Sequence, residues 1–341
     1  MWSISVVLKK FYSLALLLIL FSCQSKLNSE VQRFSGFALG TSYAITYVSS
    51  AVKIEVIQRE VDSIVEVMNA SMSTYIPDSD ISKINNGDSL LQVDSHFEKV
   101  YHKATVVWKK TEGYFDPTVG ALVNAYGFGP KANLNHVSKN ERDQILKYTG
   151  WNKTRLTSKK TIQKEHPQLF FDFNALAKGY AVDLIAELLR SKGIDSFLVE
   201  VGGEIVAQGL SPKSNAAWKV AIDDPKQGEE RRFIKVISLT NQALATSGNY
   251  RKYKVDTLTG KRLVHSINPK TGNSFASDVL SASVLAPNCM TADAFATALM
   301  VMPFEQGKVL IERETDLEAY WIIQDSLEGI KEVFSKGFGK N

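Results

Sequence analysis

The chain has few of the features that would hold a small exported domain together. Only two of its 341 residues are cysteines, Cys23 and Cys289. No disulfide framework can be built from them, so a chain this long must rely on its apolar core. Charge of one sign is also scarce. The formal net charge is +4, with no long run of Lys or Arg. Binders of nucleic-acid phosphates concentrate a basic patch, so nucleic acid is not an expected partner. HExxH, CxxC and GxSxG motifs are missing, which leaves zinc protease, thiol redox and α/β-hydrolase chemistry without support. Gly202-Gly203 is not part of a GxGxxG pattern, and there is no Walker A lysine.

The N-terminus has what the rest lacks, an apolar run. Lys9 and Lys10 precede the stretch from Phe11 to Phe21, which ends at Ser22-Cys23. A spanning helix needs about 20 apolar residues, and this run is shorter. A basic start with a short hydrophobic core is a secretory signal. The ending LFSC resembles the bacterial lipobox, whose cysteine is acylated and becomes the first residue. The expected organisation is a signal peptide at 1–22, lipidated (palmitate-bearing) Cys23 with a tether at 23–31, and one folded domain at 32–341. Two acyl chains would give firm attachment to a membrane, outside the cytoplasm and on the periplasmic face.

Beyond the tether, 31–48 reads as two strands around a Gly-Thr turn. Ile54, Ile57, Val61, Ile64 and Met68 mark one helix face, with the helix ending near Asn69. STYIPDSDISKIN reads as turns. Residues 94–110 form a second amphipathic helix with Phe97, Val100, Tyr101, Ala104 and Trp108 inward. Gly113, Gly120, Gly127 and Gly129 shape a loop, with one helical turn at ALVNAY. LFFDF reads as a strand running into a helix with Ala177, Ala181, Leu184, Ile185 and Leu188 inward. VEVGGEI reads as a strand pair, and the C-terminus as paired closing strands. Strands and helices without regular alternation predict an α+β fold.

Four segments could carry chemistry. In CMTADAFATALM, Asp293 and Thr297 lie four apart and share a helix face. They could supply two oxygen ligands to Mg²⁺. Alternatively, Thr291 caps the helix, Asp293 sits in its first turn, and Thr297 bonds back to a carbonyl. In DFNALAKGYAVD, Asp172, the carbonyl of Ala175 and Lys178 are candidates, against a plain helix start with Lys178 in solvent. Gly202-Gly203 could open backbone amides to an anion or simply make a hairpin turn. His265 could move a proton or bond phosphate, or be structural.

These segments together resemble the ApbE family, the FAD:protein FMN transferases, formerly called thiamine biosynthesis lipoproteins. ALGTSYAI, MSTYIPDSDISKIN, FDPTVGALVNAYGFGP, DFNALAKGYAVD, VEVGGEI, HSINPKTG and MTADAFATALMVM resemble family motifs in order from about residue 34 to 305. Leu39 stands where Met is usual. The resemblance implies a single domain of two packed lobes, with mixed or antiparallel sheets and helices. It implies metal ligands at Asp293, Thr297 and the Ala175 carbonyl. Ala296 stands where some members carry an acid. It implies FAD contacts among Leu39, Tyr75, Thr118, Val119, Gly120, Ala121, Asp172, Lys178, Gly202, Gly203 and His265, with His265 and Asp293 in catalytic roles.

The implied reaction is Mg²⁺-dependent transfer of FMN from FAD to a Thr or Ser hydroxyl of an acceptor flavoprotein, releasing AMP. The implied acceptors lie outside the cytoplasm, such as subunits of redox-driven membrane complexes, sodium-pumping ones among them. Two rival readings use the same residues. One is an FAD diphosphate hydrolase giving FMN and AMP. The other is a noncatalytic, lipid-anchored FAD-binding module.

Overall fold

The computed structural model describes residues 30–131, 136–225, 232–249, 253–256, 258–274, 277–325 and 329–339. The signal at 1–22, Cys23 and most of the tether lie outside them. Among the described residues, no helix is long and apolar enough to cross a membrane.

The centre of the α+β fold is an eight-stranded sheet. In chain order its strands are β1 (Val31–Ala38), β2 (Thr41–Val48), β5 (Phe197–Val201), β6 (Glu204–Gln208), β9 (Gln242–Gly248), β12 (Val279–Ala286), β13 (Glu318–Asp325) and β14 (Gly329–Phe334). They are hydrogen-bonded in that same order, each pair antiparallel. Three two-stranded pieces stand apart: β3 (Thr154–Leu156) with β4 (Ile162–Lys164), β7 (Trp218–Asp223) with β8 (Phe233–Leu239), and β10 (Tyr253–Val255) with β11 (Arg262–Val264). Of the mixed and antiparallel arrangements expected, the antiparallel one is found.

The helices are α1 (Ile54–Met72), α2 (Asp80–Asn85), α3 (Ser95–Lys110), α4 (Gly120–Ala125), α5 (Lys139–Tyr148), α6 (Ala177–Ser191), α7 (Cys289–Val301) and α8 (Phe304–Arg313). Alternation along the strands sorts the sheet's two faces. On one face, Val206, Ala243 and Ala245 pack beneath α6 and α7. On the other, Ile205, Ala207 and Leu244 pack against Trp218, Val220, Ile237 and Leu239 of the β7–β8 hairpin. α2, α3 and the segment around Phe171 extend the helical side, with Phe97, Trp151 and Phe173 at its centre.

Several local expectations are corrected. α1 continues past Asn69 to Met72. The supposed turn at 79–85 contains α2, capped by Ser79, whose side chain accepts from the Ser82 amide. LFFDF is not a ladder strand. Its backbone is held at Phe171 by the Asn85 side chain, which accepts at 2.7 Å and donates at 2.9 Å. The Asp172 amide bonds the Pro117 carbonyl at 2.8 Å. Phe171 and Phe173 are both fully buried, so this segment runs through the core with a side chain and a loop as its hydrogen-bond partners.

Candidate active site

Helix α7 carries the first of the candidate residues, Asp293. Its N-cap is Asn288, not Thr291: the Asn288 side chain accepts from the Thr291 amide at 3.0 Å and the Thr291 hydroxyl at 2.6 Å. Asp293 is therefore the fifth helical residue, and the first turn holds no acid. The helix-end charge reading fails on that register. The start of α7 is instead pinned by Asp183 of α6, whose carboxylate accepts from the Cys289 and Met290 amides at 2.7 and 2.9 Å.

Asp293 is buried, with 3% of its surface exposed. Its Oδ2 accepts from the Gly179 amide at 3.0 Å. In a regular helix that amide would point back at the carbonyl four residues earlier, that of Ala175. Here it is turned to Asp293. Such an approach needs a residue without a side chain: a Cβ on Gly179 would lie 2.4 Å from the Cys289 carbonyl oxygen and 2.9 Å from Asp293 Cβ.

Lys178 is not in free solvent. Its ammonium pairs with Glu204 at 2.7 Å, with side-chain exposures of 31% and 4% respectively. Burial works against the Lys178 charge, but Glu204 and then Asp293 outweigh it and hold the lysine above its usual pKa. Asp293 moves up too, through burial and then Glu204, with Lys178 and the Gly179 amide opposing. Two carboxylates and one ammonium thus share a dry corner, and it is short of positive charge. Thr297, one turn on, has its hydroxyl 3.4 Å from that of Ser247 on β9. Ala296 is fully buried.

The donor set suits a hard cation: one carboxylate, one hydroxyl and a carbonyl relieved of its usual amide. Among the described residues, no group of three or more His, Cys, Asp or Glu could hold a metal ion. Any cation here would need oxygen from water or substrate to complete its shell.

A second group gathers around Asp172. Its carboxylate accepts from the Asn174 amide at 2.8 Å and is raised in pKa chiefly by burial. The Tyr75 phenol, though more than half exposed, is pushed up by partial burial and then by the Asp172 charge. Gly120 faces the same spot: a Cβ there would lie 2.7 Å from the Phe170 carbonyl oxygen and 3.3 Å from Asp172 Cβ. The Tyr75 hydroxyl donates to the Phe128 carbonyl at 3.4 Å, and the Phe128 ring meets His265 edge-on with centroids 6.5 Å apart. Residues 172–178 run from this group to the Lys178–Glu204–Asp293 corner.

Leu39 and Gly202 lie in neighbouring turns. Leu39 takes φ 51° and Gly202 φ 63°, and the Gly202 amide bonds the Ser42 carbonyl at 3.0 Å. The Gly203 amide donates to Glu200 at 2.7 Å, and Glu204 follows at once. Thr118 points elsewhere. It is fully buried, donating to Asp116 at 2.6 Å and accepting from the Gly150 amide at 2.7 Å. Its side chain shapes the loop that carries Val119, Gly120 and Ala121. Sequence reading missed Glu204, Gly179, Asp116 and Asp183 as parts of this arrangement, while Ser247 lies in TSGNY (246–250), a segment whose polar groups after a strand mark it as a candidate. The one available signal was an acid at an inward position of an apolar strand, Glu204 in VEVGGEI.

Residues 39–321 match the ApbE family. The chain belongs to the ApbE family. A relative from Vibrio cholerae named FAD:protein FMN transferase is 35% identical over 330 residues, covering 96% of each chain. One of the same name from Haemophilus influenzae is 35% identical over 322 residues, covering 92% of this chain and 91% of its own. The solved flavin transferase ApbE from Vibrio cholerae superposes with a TM-score of 0.81 at 34% identity, covering 91% of this chain and 98% of its own. The apo flavinyl transferase ApbE from Pseudomonas stutzeri gives a TM-score of 0.81 at 29% identity, covering 92% and 96%.

Proposed function

We propose that this ApbE-family chain is an FAD:protein FMN transferase that moves FMN from FAD to a Thr or Ser hydroxyl of an acceptor flavoprotein. The observation that carries the reading is the meeting of α6 and α7 at Asp293, where Gly179 and the Lys178–Glu204 pair converge on one buried carboxylate. In the reaction the acceptor oxygen bonds to the FMN-side phosphorus of FAD. The anhydride P–O bond breaks, its electrons leave with AMP, and the hydroxyl proton passes to a base.

Asp293, the Thr297 hydroxyl and the Ala175 carbonyl would hold Mg²⁺, which when bound supplies positive charge to the diphosphate. Asp172, Tyr75 and the Gly120 turn line the route along which FAD would be oriented. Gly202 and Gly203 keep the neighbouring turn close. Lys178 offsets part of the negative charge that Glu204 brings to Asp293. His265, one residue beyond β11, is the base assigned to the acceptor proton; such general-base help is worth about 10²–10⁴-fold. Lipidation at Cys23 would hold the enzyme at a membrane surface outside the cytoplasm, beside acceptor subunits of redox-driven complexes.

The test incubates the soluble domain with FAD, Mg²⁺ and an acceptor domain. Acceptor mass gain by one FMN, with AMP released in equal amount, is the expected result. Free FMN and AMP with an unmodified acceptor would replace the transferase by a hydrolase. FAD retained intact would leave only a binding module.

A further inference from the structure

The β10–β11 hairpin has no role in the chemistry above, yet it stands at the site's edge. One of its faces is fixed. Lys254 donates to the Gly127 carbonyl at 2.5 Å with its ammonium 5.6 Å from the Phe128 ring centre. Leu263 packs with Leu122, Tyr126 and Ile267. On the opposite face Val264, paired with Tyr253, is fully buried, and the rest is open. Tyr253 and Val255, two apart on the strand and so on one side, are 53% and 57% exposed, and Leu258 beyond them is 76% exposed. The Arg262 guanidinium lies 3.8 Å over the Tyr253 ring.

This open face is continuous with the site. Arg262 donates to the Asn249 carbonyl at 3.1 Å, two residues past Ser247, the neighbour of Thr297. His265 follows β11 directly. The segment is also strongly basic for a chain whose net charge is only +4. Residues 251–270 carry six Lys or Arg and one acid, Asp256. That acid is already engaged by His136 at 2.8 Å and by the Leu258 and Thr259 amides at 3.0 and 2.8 Å.

We infer that the outer face of β10–β11 docks the acceptor protein. It takes an extended acceptor segment whose apolar side chains lie on Tyr253, Val255 and Leu258 and whose Asp or Glu residues face Arg262. The inference rests on the transferase reading. A hydroxyl delivered to His265 would come up beside this hairpin, since His265 follows β11 directly. An anionic lipid surface matches the same charge and apolarity, but a bilayer against the hairpin would block that approach. Complementary charge here would raise the rate of encounter and make it salt-dependent.

The experiment uses the soluble chain and the flavin-carrying domain of a sodium-pumping complex as acceptor. Val255→Asp/Leu258→Asp is compared with wild type and with Val255→Thr/Leu258→Ala as a milder control for folding. The expected result is a tenfold or greater rise in KM for the acceptor in the Asp variant, with KM for FAD and kcat within twofold. The wild-type acceptor KM should also climb with added salt. An unchanged acceptor KM, with transfer intact, overturns the docking surface and leaves the transferase standing. A raised KM for FAD assigns the hairpin to the nucleotide instead. If the acceptor KM stays unchanged while binding to phosphatidylglycerol-containing vesicles is lost, the face belongs to the membrane. Failure of the wild type to modify any acceptor defeats both readings together.

Discussion

The amide of Gly179, in the first turn of α6, donates to Asp293 Oδ2, in the second turn of α7, at 3.0 Å. The bond ties the two helices where the candidate ligand sits. Gly179→Ala would push its new methyl into the Cys289 carbonyl, 2.4 Å away. Overpacking of this kind costs about 1–3 kcal/mol. The variant should melt earlier and lose FMN transfer by more than its lost stability explains, because Asp293 is displaced. Melting curves beside transfer rates at a temperature where both proteins are folded check this.

Asp293→Asn separates charge from shape. Asn can still accept from Gly179, but it removes one negative charge from a corner holding two carboxylates and one ammonium. Burial already raises the Asp293 pKa, so ionised Asp293 is a burden on the fold. The variant should be as stable as wild type or more so at pH 7. Divalent-dependent transfer should fall by about 100-fold or more, in keeping with several kcal/mol of lost charge stabilisation. Transfer at the wild-type rate would remove Asp293 from the ligand set.

Lys178 is the sole cation paired with Glu204 among the described ion pairs. Lys178→Ala should destabilise by about 3 kcal/mol, the low end for breaking a buried pair, because the lysine is about one-third exposed. Lys178→Met/Glu204→Leu should recover part of the loss, since Glu204 is no longer left buried without its cation and Asp293 loses a repelling neighbour. Chemical denaturation of the three proteins reads the difference. A double variant no better than the single would show that Glu204 is not stranded.

Asp183 gives the fold a pH dependence. Burial lifts its carboxyl from the ordinary 3.8 to about 6, against the pull of the Met290 and Cys289 amides. The unfolded chain therefore loses this proton first as pH rises. Stability tied to Asp183 is greatest below pH 4, declines between pH 4 and 6, and is gone above. The span corresponds to roughly 3 kcal/mol at most. Melting temperatures from pH 4 to 7 should fall more steeply for wild type than for Asp183→Asn. Parallel profiles would sink the assignment.

Periodic segments were legible in the sequence, and segments held by distant partners were not. The face of α1 and the stripe of α3 follow from 3.6-residue spacing, and the β5–β6 hairpin from Gly202-Gly203. LFFDF looked like a strand because its apolar content is that of one. Nothing in its own residues reveals that Asn85, 86 positions earlier, would take over its backbone bonds. Asp293 and Thr297 were found because four-residue spacing is local. Glu204 became part of the same corner only through the packing of α6 on the sheet, and Lys178 found it there rather than solvent. Thr118 is an FAD candidate through the family resemblance alone, and its bond to buried Asp116 turns its hydroxyl inward.

The strand order has a temporal consequence. β9 and β12 lie side by side at the middle of the sheet, and α7 follows β12 in the chain. Ser247 reaches Thr297 only after a strand 30 residues downstream has zipped onto β9, and Glu204 reaches Lys178 only after the β5–β6 hairpin has closed. Pairings between distant strands form late and slowly. A chain still being made would therefore lack the corner at Asp293 and Thr297 until β12 and α7 had been added.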